Sequence, residues 1–443
     1  MSQFEFGLGV ADITPVPGIL LWGYSNRSGP ATGVLDPLYS KAMVFRVGEH
    51  TAAWVSLDLG RPPMAAQRSV IQHAAREMGV QHIALHATHT HHAPGLEVMD
   101  GAHHEAMTKG IIESIALGVA ALQPARWGFA RADIDIAHNR RILTPGGACL
   151  MLWRNEDRRP TAPVDREAVI LKIDDASGHP LAIAVHFACH PVILGPSNLD
   201  YSGDFAGEMA RIVKGVTGTE CVFLQGGCGD INPYLDKTSM DRGGLDAMHA
   251  SGRIAAESVM RELGRLETRS PVAPSVQMSE SMIEVGVRWN LSDPEERALV
   301  EASHPDLFNF YMQELGKTLA VPLAVLVLNG ELALAGMPGE IFVEHQLRLK
   351  QLSTIRHALL CGYVDDFHGY IPPIEHAAAG GYGGMAGSYV GIGAADLLMA
   401  RAQEEIFRLK GRIKGCYTSQ DFAVRDYESP GREREHVPGV KEE

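Results

Sequence analysis

Apolar and polar positions along the chain form short hydrophobic runs that alternate with helical patterns. The runs predict buried strands at residues 42–47, 52–60, 82–88, 166–173, 180–187, 220–225, 322–329, 331–336 and 358–364. Helical spacing predicts helices over residues 63–79, 103–122, 205–216, 244–263, 293–303 and 393–410. The alternation indicates an α/β fold in which mixed β-sheets are flanked by helices.

The length of 443 residues suits one large domain or two closely packed ones. Residues 268–280, TRSPVAPSVQMSE, are typical of a surface connection. The C-terminal stretch SPGREREHVPGVKEE is polar and charged, as mobile tails are. We therefore expect one large domain over residues 1–415 and a mobile tail over residues 416–443.

Charge and composition exclude several classes of partner. A net charge of −14 and a pI of about 5.8 leave no basic excess to neutralise phosphates, so we expect no nucleic-acid binding. No apolar run approaches the roughly 18–20 residues that a membrane span needs, and no signal peptide is visible at the N-terminus. The six cysteines lack CxxC spacing and fit reduced thiols, so we expect a cytoplasmic protein. The sequence does not indicate an oligomeric state.

Histidines are concentrated in one short stretch, HATHTHHAPG at residues 86–95. His89 and His91 lie two apart just after a predicted strand, and in extended backbone such positions face the same side. The ends of strands in α/β sheets are also where ligands bind. Two interpretations stay open from this stretch alone, a polar surface loop or part of a metal site. The HxHxDH metal motif is not present, because Ala93 stands where the aspartate is required.

Four more clusters of polar or glycine residues follow apolar runs. In FACHPVILGPSNLDYSGDFAG, His190 ends an apolar strand and Ser202 is a candidate N-cap of the next helix. FLQGGCGDINP contains three glycines but no Lys-Ser/Thr, so it is not a P-loop. In MPGEIFVEH, Glu340 is predicted to begin a helix, where an acidic residue favours the helix dipole. GYIPPIEHAAAGGYGG places Tyr370 and Tyr382 twelve residues apart. Taken singly, a helix cap, a core histidine and a first-turn glutamate explain these residues as well as a site does.

Taken together and in this order, the motifs resemble the catalytic domain of the neutral/alkaline non-lysosomal ceramidase family. VADITP, WGYS and LDPLYSKAMVF, between residues 10 and 45, are similar to the start of that family. THTHHAPG is similar to its THTHSGPG, QGGCGDINP to its QSNAGDxxP, and the HP, SGD, PGE and GYIPP stretches to its corresponding elements. The resemblance covers roughly residues 8–410 and implies one large neutral-ceramidase-like catalytic domain.

The resemblance implies a hydrolase that acts on a small-molecule substrate and depends on one zinc ion (Zn2+) per chain. The family's zinc ligands fall on His89, His190, Glu340 and Tyr370. Nitrogen and oxygen donors of this kind suit a catalytic zinc site, which keeps one position open for water. The resemblance also implies catalytic roles for three other residues: His91 in proton transfer, Tyr382 in stabilising the oxyanion and Arg140 in orienting a polar or anionic group of the substrate.

The chain departs from the family at informative positions. Gly226 stands where the family has a serine once considered a nucleophile, so a serine nucleophile at that position is excluded and a metal-activated water remains. We also expect the chain to be without the family's secretion signal and C-terminal β-domain, features that serve encounters with lipid, and we therefore expect a substrate other than ceramide itself. Cys228 has no identifiable neighbouring base and is not expected to be a nucleophile.

Three functions are compatible with these residues. The first is a zinc amidohydrolase that cleaves an amide bond in an N-acyl or related small molecule. The second is a metal-dependent hydrolase of esters, lactones or phosphate esters on the same scaffold, with phosphate disfavoured by the single-metal ligand set. The third is a non-catalytic metal-binding protein. We expect the loops 268–320 and 374–390 to line the pocket. The histidines expected to be structural are His86, His92 and His186, and the carboxylates expected to support ligand histidines are Asp58, Asp204 and Asp230.

Overall fold

The computed structural model describes residues 3–303 and 318–412. The expected tail over residues 416–443 lies outside the described residues, and so does the domain boundary at residue 415. Within the described part of the chain, no helix is both long and apolar enough to cross a bilayer.

Strands and helices alternate through the chain, as the hydrophobic pattern predicts. The strands are β1 Phe4–Asp12, β2 Gly33–Val34, β3 Tyr39–Val47, β4 His50–Leu57, β5 His82–Ala87, β6 Gln123–Asp133, β7 Ala137–Asn139, β8 Arg141–Leu143, β9 Cys149–Met151, β10 Glu167–Asp175, β11 Pro180–Phe187, β12 Asp200–Tyr201, β13 Cys221–Gln225, β14 Ile231–Pro233, β15 Val276–Gly286, β16 Thr318–Leu328, β17 Leu332–Gly336, β18 Glu340–Ile341, β19 His357–Cys361 and β20 Tyr370–Ile371. The α-helices are α1 Ala65–Glu77, α2 Gly101–Ala120, α3 Asp204–Thr217, α4 Gly244–Leu263, α5 Pro294–Ser303, α6 Val343–Leu352, α7 Ile374–Ala378 and α8 Ala394–Leu409.

The larger sheet has eight strands in the order β13-β11-β10-β6-β1-β3-β4-β5. Its neighbours are antiparallel except for the parallel pairs β11/β13 and β4/β5. Strand β6 joins two halves of the sheet, because Gln123 and Pro124 pair with β1 whereas the rest of β6 pairs with β10. The two end strands of the sheet also touch, since Nε2 of His86 on β5 donates to the Gln225 carbonyl on β13. This contact brings the carboxyl ends of β5 and β13 together.

The smaller sheet, in the order β15-β16-β17-β19, packs face to face on the larger one. The core between the sheets combines Trp54 and Trp127 of the larger sheet with Leu326 and Leu334 of the smaller. Helices α1 to α4 cover the outer face of the larger sheet, and α6 and α8 cover that of the smaller. The result is four layers, helix, sheet, sheet and helix, which confirms the predicted α/β class with mixed sheets.

Helix α2 lies unusually close to strand β1, and glycines make this possible. A Cβ on Gly9 would lie 1.8 Å from the Ser114 carbonyl oxygen, and a Cβ on Gly7 would lie 2.0 Å from the Gly118 carbonyl oxygen. The run GLG in β1 is therefore required by backbone contact with the helix.

Three parallel strand pairs are each joined by a helix, β4–α1–β5, β11–α3–β13 and β17–α6–β19. Parallel neighbours need such crossovers because the end of one strand and the start of the next lie at opposite edges of the sheet. Every polar cluster singled out in the sequence follows one of these strands. His89 follows β5, His190 follows β11, Glu340 follows β17 and Tyr370 follows β19.

Three sequence expectations about elements are wrong. Glu340 does not begin a helix; it lies in β18, paired with Tyr370 of β20, and α6 begins only at Val343. Ser202 is not the N-cap of α3, a position that Gly203 occupies, although Ser202 Oγ accepts a hydrogen bond from the Asp204 amide. The expected surface connection 268–280 includes the start of β15, whose residues alternate between buried and exposed.

Candidate metal centre

Five of the predicted site residues converge where the strand ends meet. The Nε2 atoms of His89 and His91 are 3.3 Å apart, and Nε2 of His190 lies 3.0 Å from an oxygen of Glu340. The same Glu340 oxygen lies 3.6 Å from Nε2 of His89. Tyr370 joins this group through its pairing with Glu340. All of these side chains are buried.

Backbone carbonyls orient the two predicted histidine ligands in the same way. Nδ1 of His89 donates to the Gly60 carbonyl at 2.7 Å, and Nδ1 of His190 donates to the Ile231 carbonyl at 3.0 Å. Each bond fixes the tautomer and leaves Nε2 free of its proton and directed at the cluster. Burial lowers the pKa of His190 to about 4, which keeps the ring neutral at physiological pH.

The backbone of His89 is not extended, contrary to the expectation that His89 and His91 continue a strand. Strand β5 ends at Ala87, and His89 has a φ of 66°, in the left-handed region. Such a conformation is strained for a non-glycine residue and is typical of functional sites. The two rings still meet, with their centres 4.8 Å apart.

Glu340 is the buried anion of the cluster. Burial alone would raise the pKa of its carboxyl, but His89 and His190 lower it well below its usual value. The carboxylate is therefore ionised and available as a ligand. Gly229 makes room for this strand, since a Cβ there would lie 2.3 Å from the Glu340 carbonyl oxygen.

The spacing of these donors fits a metal ion. Ligands about 2.0–2.2 Å from a tetrahedral zinc lie about 3.3–3.6 Å from one another. The donor separations of 3.0, 3.3 and 3.6 Å among His89, His91, His190 and Glu340 fall close to this range. The three histidines alone form a buried group whose donor atoms all lie within 4.8 Å of one another.

Arg140 supports Tyr370 and is itself enclosed by aromatic rings. Its guanidinium donates to the Tyr370 hydroxyl at 3.0 Å, to the Gly229 carbonyl at 2.6 Å and to Asn232 Oδ1 at 3.0 Å. Its carbon lies 5.4 Å from the centre of the Tyr382 ring. Since both terminal nitrogens bind the protein, Nε is the buried Arg140 donor that has no partner in the described residues. Its role towards a substrate stays a prediction.

Tyr382 lies at the edge of the cluster and is partly exposed. Its ring centre is 5.2 Å from that of Tyr370, and Arg141 fixes its loop by donating to the Tyr382 and Gly380 carbonyls. Tyr382 therefore lies beside the buried donor cluster, and its oxyanion role stays a prediction.

The loop WGYS, residues 22–25, also lines the site. The sequence motif alone did not predict this position. The Trp22 ring centre lies 5.0 Å from that of His89 and 4.9 Å from that of His91, and the Tyr24 ring centre lies 5.0 Å from that of His91. The Tyr24 hydroxyl is buried and has no hydrogen-bond partner among the described residues. Trp22 and Tyr24 lie far from THTH in the sequence, so no local signal marks this contact.

The three carboxylates expected to support the ligand histidines bind backbone amides instead. Asp58 accepts a hydrogen bond from the Tyr39 amide, Asp204 accepts from the Leu194 amide, and Asp230 accepts from the Val343 amide at the start of α6. The ligand histidines use backbone carbonyls instead. Asp204 does face a histidine, but this is His92, at 3.4 Å, which is not one of the predicted ligands.

The histidines expected to be structural have protein partners. Nδ1 of His92 accepts hydrogen bonds from Arg27 and Asn198, each at 3.1 Å. His86 bonds Trp54 and the Gln225 carbonyl, and His186 donates to the Leu360 carbonyl. These contacts secure the loops around the cluster.

The glycine-rich loop after β13 leaves no room for a nucleophile. A Cβ on Gly226 would lie 2.3 Å from Gln346 Oε1, so a serine there would displace that side chain. The Cys228 thiol is buried 3.0 Å from the Tyr363 hydroxyl, and burial raises its pKa well above the usual value. A thiol held in its protonated form is a poor nucleophile.

Comparison with known proteins supports the resemblance. A sequence profile described as neutral/alkaline non-lysosomal ceramidase, N-terminal, matches residues 4–236, more than half of the chain. The chain is 23% identical to the neutral ceramidase of Pseudomonas aeruginosa over 468 aligned residues, which cover 87% of this chain and 69% of that protein. It is 25% identical to neutral ceramidase A of Dictyostelium discoideum over 224 residues, which cover 46% of this chain and 31% of that protein.

Solved structures show the same fold. The crystal structure of the neutral ceramidase from Pseudomonas aeruginosa superposes with a TM-score of 0.75 at 19% identity, over 93% of this chain and 75% of that one. A structure titled as a ceramidase complexed with C2 superposes with a TM-score of 0.73 at 18% identity, over 95% of this chain and 77% of that one.

The four-layer α/β fold, with a buried cluster of histidines and a carboxylate at its strand ends, is the fold that this chain shares with the solved neutral ceramidase. The family match makes the assignment specific. The chain belongs to the neutral/alkaline non-lysosomal ceramidase family, whose name denotes hydrolysis of an amide bond.

Proposed function

We propose that the protein is a zinc-dependent hydrolase that cleaves an amide (C–N) bond in a small-molecule N-acyl substrate. The observation that carries the proposal is the meeting of His89, His190 and Glu340 with donor separations of 3.0 and 3.6 Å. Membership of a ceramidase family supports the amide as the bond that is cleaved.

His89, His190, Glu340 and Tyr370 would hold the zinc ion. When bound, zinc in such a site supplies a Lewis acid and lowers the pKa of a water from about 15.7 to about 7. The preset tautomers of the two histidines favour binding, because Nδ1 is engaged by a backbone carbonyl and the Nε2 atoms face the cluster.

Three residues of the chain would complete the reaction. Burial and the neighbouring histidines lower the pKa of His91 well below its usual value, so the ring is neutral. In that form it would accept a proton during the reaction and pass it to the leaving amine. Tyr382 would donate its hydroxyl to the carbonyl oxygen as negative charge develops there. Arg140 keeps the Tyr370 hydroxyl in place and would orient a polar group of the substrate.

Replacing Glu340 tests the proposal. In Glu340→Ala we expect zinc content to fall from about one per chain to near zero, and amide cleavage to fall with it, because the removed carboxylate is the anionic ligand. The measurements are elemental analysis and a panel of short- and long-chain N-acyl amides. Glu331→Ala, which removes a glutamate paired with Arg269 on the surface, is the matched control and should change neither.

Wild-type protein that contains no metal and is unaffected by chelators would contradict the proposal. If the protein contains metal but cleaves only esters or lactones, the metal site is supported and an amide substrate is excluded.

We also propose that the protein works in a reducing compartment such as the cytoplasm. All five cysteines among the described residues, Cys149, Cys189, Cys221, Cys228 and Cys361, are free thiols, which is usual where disulfides do not persist.

A further inference from the structure

A lysine lies near the candidate metal centre, against the ring of Trp153. The Lys237 ammonium is 4.4 Å from the centre of that ring. The same ring lies 5.1 Å from the Arg140 guanidinium carbon and 5.1 Å from the Tyr382 ring centre. The Trp153 ring therefore contacts two cations and the tyrosine that is predicted to stabilise the oxyanion.

A continuous series of polar contacts links Lys237 to Tyr370, one of the predicted zinc ligands. Lys237 donates to Asp236 Oδ2 at 2.5 Å, and Asn232 Nδ2 donates to the same oxygen at 2.7 Å. Oδ1 of Asn232 accepts from Arg140, which also donates to the Tyr370 hydroxyl. These contacts fix the position of the lysine relative to the metal centre.

The backbone of Lys237 is attached to the segment that follows a predicted zinc ligand. Its φ is 51°, in the left-handed region, which costs free energy for a lysine. The Lys237 amide donates to the Val192 carbonyl at 3.1 Å, and the Thr238 amide donates to the Ile193 carbonyl at 2.7 Å. Both carbonyls come directly after His190 and Pro191, so the turn that carries the lysine and the ligand histidine are held together.

The Lys237 ammonium can bind a second anion. Its side chain is 33% exposed, whereas the side chain of Asp236 is fully buried. An ammonium has three N–H donors, and in the described residues one of them is used, by Asp236. Nε of Arg140 is a further donor without a partner there. The group formed by Arg140, Asp236 and Lys237 thus contains two cations and one anion, an excess of positive charge in a chain whose net charge is −14.

We propose that Lys237 binds a carboxylate on the amine part of the substrate, so that the enzyme prefers N-acyl amino acids to neutral N-acyl amides. The inference rests on the proposed function, because it takes the scissile amide to lie at the metal centre beside Tyr382. In an N-acyl α-amino acid the carboxylate is attached to the carbon next to the amide nitrogen. Lys237 and Tyr382 contact the same Trp153 ring, and the flexible lysine stem lets the ammonium follow that carboxylate.

Two substrates that differ by one charge test the inference, N-octanoylglycine and N-octanoylglycinamide. Release of glycine or glycinamide is measured, and for wild type we expect kcat/KM to be about tenfold higher for the glycine compound because of the added ion pair. In Lys237→Met we expect this value to fall about tenfold through a higher KM, and that for the glycinamide compound to stay within about twofold. Lys237→Arg keeps the positive charge and should retain most of the preference.

Lys109→Met is the matched control for the loss of one positive charge. Lys109 is an exposed lysine of α2 that is paired with Glu105, so this variant should change neither value.

A double variant separates substrate binding from a purely structural role of the lysine. Lys237→Met leaves the buried Asp236 carboxylate without its cation, whereas Lys237→Met/Asp236→Asn removes both charges and keeps the acceptor for Asn232. If Lys237 binds the substrate, the double variant should show the same tenfold loss with N-octanoylglycine. Recovery of the wild-type value in the double variant would mean that Lys237 only balances Asp236, and would overturn the inference.

Binding of N-octylsulfonylglycine, measured by calorimetry, provides a readout that does not depend on turnover, because a sulfonamide replaces the carbonyl group that is attacked. We expect wild type to bind it about tenfold more tightly than N-octylsulfonylglycinamide, and Lys237→Met to bind the two compounds equally. If wild type binds in this way but cleaves no amide, the proposed function fails and the carboxylate site is supported.

Two other results would overturn the inference and leave the proposed function intact. One is an equal kcat/KM for the two octanoyl amides in wild type. The other is a preference for N-octanoylglycine that persists in Lys237→Met, which would assign the carboxylate to the metal centre or to Arg140.

Discussion

At the residue scale, the ring of His91 is held in place by a glycine in the opposite loop. A Cβ on Gly23 would lie 2.3 Å from Nδ1 of His91, and Gly23 has a φ of 95°. In Gly23→Ala we expect the methyl group to push the His91 ring aside and kcat to fall about 10²- to 10⁴-fold, the range for loss of a general acid–base group. The measurement is steady-state kinetics together with zinc content, which should stay near one per chain.

Gly18→Ala is the control for this variant, because Gly18 also has a positive φ, 124°, but a Cβ there would meet nothing within 4 Å. It should carry the backbone strain without the loss of kcat. If Gly23→Ala also loses its zinc, His91 is a metal ligand and not a proton carrier.

Residue types and order were enough to select His89, His190, Glu340 and Tyr370, because metal sites need particular donors. The supports of those donors could not be predicted. Nδ1 of His89 donates to a backbone carbonyl. Every residue has such a carbonyl, so the residue type does not identify the partner. The carboxylates that seemed better suited, such as Asp230, bond backbone amides elsewhere.

At the element scale, the loop after β19 attaches the smaller sheet to the edge strand of the larger one. Oδ1 of Asp365 accepts from the Leu85 amide on β5 at 2.8 Å, and the Asp365 amide donates to the Leu85 carbonyl. Burial raises the pKa of Asp365 from 3.8 to about 7. The folded state therefore binds a proton that the unfolded state releases, and the stability from this group decreases as the pH rises from about 4 to 7.

Asp365→Asn removes this ionisation and keeps the acceptor for Leu85. We expect its free energy of unfolding, relative to wild type, to increase with pH between about 4 and 7, by up to about 4 kcal/mol. Urea unfolding of both proteins at several pH values measures the difference. Asp246→Asn, an exposed aspartate, should show no such trend. A difference that is constant over the pH range would contradict the assignment of this pKa.

Elements were predictable where burial is continuous and not where it alternates. The fully apolar runs of β11, β13 and β17 stand out in the sequence because both faces are covered. β15 was missed, since exposed polar residues such as Glu280 and Glu284 interrupt it on one face. The two-residue pairing of β18 with β20 depends on contacts between segments that are distant in the sequence. No local pattern therefore predicts that Glu340 and Tyr370 lie side by side.

At the scale of the whole molecule, the candidate metal centre joins parts of both sheets. His89 and His190 follow strands of the larger sheet, whereas Glu340 and Tyr370 follow strands of the smaller one. An ion held by all four would connect two layers that also pack through the apolar core between them. Metal binding should therefore stabilise the packing of the entire domain, in addition to supplying chemistry.

Removal of the metal tests this consequence. A ligand that binds only the folded state at about 1,000 times its Kd adds about 4 kcal/mol of stability, so we expect zinc-loaded wild type to melt several degrees above the chelated protein. Zinc added back should restore Tm, and magnesium, which prefers octahedral oxygen ligands, should not. Glu340→Ala should melt at the same temperature with and without chelator, because its site lacks the anionic ligand. Equal Tm values for zinc-loaded and chelated wild type would mean that the four residues do not share an ion.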